Sequence, residues 1–155
     1  MKRTLAFIAI IGSTAYLGNI LNIGLTYAVA WQALDPMAFM EGFGATFMLL
    51  LPTVAFTLLP GFIGITASIF QNKENPQAKQ KWQIALYLTL ASLAITSIFH
   101  LPANLAFMDQ AYTAAEATSK LQWWVILHWV RVVLALAAAV YTLQGFQYSL
   151  KASEA

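Results

Sequence analysis

The sequence predicts an all-α fold: a four-helix transmembrane bundle of up-down-up-down topology, with both termini cytoplasmic. Three observations predict it. Hydrophobic residues make up 60% of the 155 residues and charged residues 9%, whereas a soluble domain normally carries about a quarter charged residues. Four stretches reach the roughly 20 mainly apolar residues that a bilayer crossing needs. The lysines and arginines gather at alternate ends of those stretches, and the positive-inside rule places that side in the cytoplasm.

The first stretch, at about 5–31, follows Lys2 and Arg3. That basic pair, a short apolar run and Ser13-Thr14-Ala15 resemble a secretory signal. The apolar run continues to Trp31, so a retained first helix is expected. Gly12, Ala15, Gly18 and Asn22 are small or compact at helical spacing and read as a packing surface. The second stretch, at about 39–70, contains Pro52 and Pro60-Gly61, which should bend it. A polar turn at 71–80 with Lys73 and Lys79 leads, past Lys81, to the third stretch at about 82–107, where Pro102 should introduce a bend between His100 and Asn104. The fourth, at about 121–148, carries Ala135, Ala138 and Ala139 as packing residues and is followed by Lys151. The other two loops hold Asp35, Asp109, Glu116 and Lys120. One integral-membrane domain, 1–155, follows, with a bacterial inner membrane as the expected location. Its basic loop faces lipid headgroups and binds no nucleic acid. Trp31, Trp82 and Trp123 fit an interfacial aromatic belt, with Trp124 on the neighbouring face free to line a cavity.

The chain has no cysteine. Thiol relays, disulfides, iron–sulfur ligation and thiolate metal sites are thereby excluded. It also lacks a phosphate-cradling glycine loop, an HExxH pair and a Gly-x-Ser-x-Gly elbow. Chemistry must come from His, Asn, Arg, Glu, Tyr and Trp.

Both histidines lie inside apolar stretches, in His100-Leu-Pro-Ala-Asn104 and Leu127-His-Trp-Val-Arg131. A titratable side chain in hydrocarbon costs about 2.5 kcal/mol or more, so it persists where it has partners and a use. Counting about 1.5 Å per residue from the helix ends puts both histidines about 10 Å below the same membrane surface. Asn104 and Arg131 fall one turn to either side, each at helical spacing from its own histidine. Glu41 on the second helix, and Asn22, Thr26 and Tyr27 on the first, belong to the same outer half, whereas the inner half contributes almost no polar groups. A buried partner for Arg131 is expected, with Glu41 as the protein candidate.

The motifs T-x(3)-H-x-P-x-N (Thr96, His100, Pro102, Asn104) and W-x(3)-H-x-x-R (Trp124, His128, Arg131), followed by an alanine-rich run, resemble the anthrone oxygenase-like family of small four-helix membrane proteins. The resemblance covers about 81–141, and earlier residues share only the hydrophobic pattern. Pro102, Asn104, Trp124, His128 and Arg131 match that family. It usually has Asn in place of His100, Leu in place of Ala103 and Asn in place of Leu127, departures that bear on substrate more than on fold. The resemblance implies O2-dependent oxidation of a polycyclic phenolic to a quinone without an obvious organic cofactor.

The residues support that chemistry independently. Oxidising an anthrone, phenol or hydroquinone starts with removal of a proton, a task suited to imidazole. The expected catalytic set is His128 as base, His100 as second proton carrier or ligand, and Arg131 and Asn104 as oxyanion stabilisers. Glu41, Asn22, Tyr27 and Trp124 are expected to contact a hydrophobic small-molecule substrate. Two alternatives stand beside this reading. In one, His100, His128 and Glu41 hold a metal, or the two histidines a haem. In the other, the cluster binds a quinone or lipid without turnover. Association into a homo-oligomer is left open.

Overall fold

The computed structural model describes residues 2–151; Met1 and residues 152–155 of the expected domain lie outside the described residues. Four helices, each long and apolar enough to cross a membrane, make up an all-helical fold with no strand among the described residues. The first runs from Lys2 to Gln32 but is interrupted by a π turn at Ile23–Tyr27. The second is Pro36–Gln71. The third runs from Pro76 to Met108 with a second π turn at Thr96–His100. The fourth is Ala114–Lys151.

The helices outrun the apolar stretches because polar residues cap them. Asp35 accepts from the amides of Met37 and Ala38, and Asn75 accepts from that of Ala78, each ahead of a proline in the first turn. Thr113 and Glu116 form a capping box, each side chain bonded to the other's backbone N–H. The expected turn at 71–80 therefore shrinks to the residues between Gln71 and Pro76. Both Pro52 and Pro60 lie inside one continuous helix.

Buried residues on the fourth helix form one stripe. Ala117, Leu121, Trp124, His128, Arg131, Ala135, Ala138, Thr142 and Gly145 alternate steps of four and three, the heptad spacing of bundle cores. The third helix starts on the same spacing with Ala78, Trp82, Ala85, Thr89 and Ser92. Continued unbroken, its stripe would pass through Thr96, Phe99 and Ala103. The extra residue of the π turn shifts it by one position, so His100, Asn104 and Phe107 are buried, Ala103 stays buried beside Asn104, and Thr96 and Phe99 are only partly buried. The first helix does the same. Ala6, Ala9, Ser13, Tyr16, Ile20 and Ile23 are buried, and beyond the π turn the stripe resumes at Ala28 and Trp31 rather than Tyr27 and Ala30. Ala15, Gly18 and Asn22, expected in the packing surface, lie on the exposed face.

At the end that holds the 72–75 turn, backbones pack closely. A methyl group at Gly12 would meet the Gly61 nitrogen, and one at Gly64 would meet the Ala9 nitrogen. Trp82 is fully buried there, over Gly145, and its indole N–H donates to Ser149. Trp31 is also buried, among Phe39, Phe43 and Trp124. Of the three tryptophans expected at an interfacial belt, Trp123 alone is exposed.

Candidate functional site

The π turn of the third helix brings His100 and Asn104 inward, and the heptad stripe of the fourth brings His128 and Arg131. His100 closes the turn on the third helix, where its ring lies 3.2 Å through Nε2 from the Trp124 carbonyl and 3.4 Å through Nδ1 from the Ile95 carbonyl. A neutral imidazole has one N–H, and the shorter contact to Trp124 is the better bond. His100 thereby ties the third helix to the backbone of the fourth. His128 donates from Nε2 to the Ile20 carbonyl at 2.8 Å, one residue triplet before the π turn of the first helix. Gly24 makes that approach possible, because a methyl group there would sit 3.1 Å from the imidazole Cδ2. With Nε2 committed as donor, Nδ1 carries the lone pair. That nitrogen is buried and has no hydrogen-bond partner.

The two rings are 6.2 Å apart, and Trp124 stacks on His128 at 4.9 Å with the planes 7° from parallel. The Trp124 indole donates to Asn104 Oδ1 at 2.8 Å. Asn104 therefore holds the tryptophan, and the tryptophan holds the histidine. Arg131, one turn along from His128, is 5% exposed. Its Nη2 reaches the Tyr16 hydroxyl at 3.5 Å, Tyr16 shares a hydrogen bond with Ser92, and its Nε has no partner. No carboxylate pairs with it among the described residues.

His100, Asn104, Trp124, His128 and Arg131 thus come together, as their spacing implies, at helices one, three and four. Glu41 and Asn22 do not join them. Glu41 is exposed on the second helix, and Asn22 faces outward, accepting from Thr26 on the same exposed side. Tyr27 is half-buried against Trp31, one ring removed from Trp124. The expected partnership of Glu41 with Arg131 is replaced by Tyr16. The two-histidine, one-carboxylate metal set is likewise not assembled: no three of His, Cys, Asp and Glu are grouped among the described residues. Three of the four imidazole nitrogens face backbone carbonyls, an arrangement that also disfavours the pair as axial ligands of a haem.

Tyr16, Ser92 and Gly24 were not singled out from the sequence, although Tyr16 shares the heptad stripe with Ala9, Ser13 and Ile20. The inner half is also more polar than its composition suggested. Ser13, Ser68, Thr89, Ser92 and Thr142 are all buried, most of them bonded back to their own helix. Both imidazoles are buried, each 1% exposed. A cavity of about 190 Å³ opens at the loop end, lined by Trp31, Phe39, Leu121 and Gln122 among others. Leu121 lies two helical turns from His128, and Trp31 and Trp124 stand edge-to-face between them.

The family model described as anthrone oxygenase matches residues 39–141, most of the chain and all of the third and fourth helix residues of this cluster. No curated protein and no solved structure matches.

Proposed function

The chain belongs to the anthrone oxygenase family, and from that premise we propose that it oxidises a hydrophobic polycyclic phenol of the anthrone type with O2. The observation that carries this reading is the pair of buried, unpartnered nitrogens one helical turn apart, His128 Nδ1 and Arg131 Nε. One is a fixed lone pair and the other a fixed N–H. His128 takes a proton from the substrate, its tautomer held by the Ile20 carbonyl as a general base requires. Arg131 donates to the oxygen on which negative charge develops, in a setting that excludes water. The resulting anion is oxidised by O2, one oxygen atom entering the new quinone carbonyl and the other leaving as water. Asn104 and Trp124 act as positioning residues that fix the imidazole plane, and His100 pins the third helix to the fourth. Substrate enters from the cavity at the loop end, and displacement of Trp31 opens the way to His128.

The test is oxygen uptake and quinone formation by the purified protein in nanodiscs supplied with anthrone. His128→Ala and Arg131→Ala, folded as judged by circular dichroism, should each lose about 10²-fold or more in turnover. Turnover at the parental rate in either variant refutes the assignment.

A further inference from the structure

A second cavity, of about 470 Å³, lies at the opposite end of the bundle from the histidines. Its lining includes Arg3, Ser68, Gln71, Asn72, Glu74 and Phe146. The volume is within the range of about 300–1,000 Å³ typical of small-molecule sites. Ser68 is 1% exposed, and its hydroxyl has no hydrogen-bond partner. Burying such a group unsatisfied is costly, and a ligand acceptor would relieve the cost.

The charges are arranged unusually. Arg3 and Glu74 line the same cavity, yet no ion pair joins them among the described residues. Nearby lysines have other company: Lys73 lies over Phe70, Lys81 over Tyr141 and Tyr148, and Lys151 over Tyr148. One cation and one anion held apart, with zero net charge between them, match a dipolar ligand better than an anion.

Depth identifies its source. The four membrane-crossing helices begin or end at Arg3, Gln71, Pro76 and Lys151, which puts this cavity where lipid headgroups lie. Exposed Phe7 and Phe70 stand beside it and offer apolar surface to acyl chains.

We propose that the cavity binds the headgroup of a zwitterionic ethanolamine phospholipid, independently of the chemistry at His128. The phosphate accepts hydrogen bonds from Arg3 and Ser68, and the ammonium donates to the Glu74 carboxylate and the Asn72 side-chain oxygen. A choline headgroup has no N–H to give, and Phe146 is the one aromatic ring lining the cavity to cage it. An anionic glycerol headgroup would set its charge against Glu74 without a compensating ammonium.

Native mass spectrometry of the purified full chain tests this by titration with phosphatidylethanolamine, phosphatidylcholine, phosphatidylglycerol or inorganic phosphate. One phosphatidylethanolamine should be retained at least tenfold more tightly than either other lipid. Arg3→Ala should weaken all phospholipids, and Glu74→Gln should erase the preference for ethanolamine over choline while leaving phosphate-dependent retention. Both side chains are exposed, so the lipid-free unfolding midpoint should not move. Equal retention of phosphatidylglycerol, an undiminished preference in Glu74→Gln, or displacement of lipid by inorganic phosphate would each overturn the proposal. Anthrone turnover reports on the distant histidines and is unaffected by either result.

Discussion

The two ends of this bundle solve opposite problems. Near the 72–75 turn the helices are regular, and contact depends on missing side chains: Gly12, Gly61, Gly64 and Gly145 let backbone or indole come close. Near the other end the contact depends on broken regularity. Two π turns interrupt the first and third helices, and each places a polar or aromatic group on the buried face. The tight end has hydroxyls that mostly bond their own helix, whereas the interrupted end has imidazole and guanidinium nitrogens left without partners. In lipid, close packing supplies helix association, so the glycine end can hold the bundle together while the π-turn end carries groups that packing alone would not select. Local departures from the α-helix are known to mark functional sites, and among the described residues both π turns lie toward one end.

The sharpest way to break this contrast is at the glycines. Gly12→Leu or Gly64→Leu drives a side chain into opposing backbone and should destabilise the bundle by about 3 kcal/mol or more, read as a fall in the thermal unfolding midpoint. If either variant is as stable as the parent, the close crossing is not what holds that end. Trp124→Phe keeps the stack on His128 but removes the bond to Asn104. Turnover on anthrone should fall about tenfold, at a stability cost of about 1 kcal/mol. An unchanged rate would show that the indole does not position the base.

His100→Asn separates scaffold from chemistry. The amide can still donate to the Trp124 carbonyl, so stability should drop by about 1 kcal/mol and turnover should stay within about tenfold of the parent. A loss as deep as that of His128→Ala would put His100 among the reacting groups. The smallest effect is expected from Gly24→Ala, where a methyl group 3.1 Å from the His128 ring displaces it by tenths of an ångström. A few-fold decrease in turnover, with an unchanged unfolding midpoint, is the expected result.

Much of this was legible in the sequence. The steps from Trp124 to His128 to Arg131 are the steps of a heptad stripe, which is why those three share a face. The common level of His100 and His128 followed from counting residues to the helix ends. Glu41 and Asn22 were placed by depth alone, and depth says nothing about azimuth: both sit at a suitable height on the wrong side of their helices. The π turns were not legible. Strict 3.6-residue periodicity gives no sign of one extra residue, and residue size misleads as well: small Ala15, Gly18 and Asn22 suggest a packing stripe, whereas the buried one runs through Tyr16, Ile20 and Ile23. Tyr16, the partner of Arg131, is hidden by the same preference for small residues. Trp31 and Trp82 were assigned to the interface by residue type, although a glycine or an aromatic cluster opposite each allows full burial.

The π turn at Thr96–His100 also works as a register adjuster. Removing one residue between Thr96 and Phe99 would return the third helix to unbroken heptads and still keep His100 and Asn104 on the buried stripe, because the deletion cancels the extra residue of the turn. One triplet of nucleotides is therefore the difference between a regular third helix and an interrupted one, and the turn lets both halves of that helix face the same core.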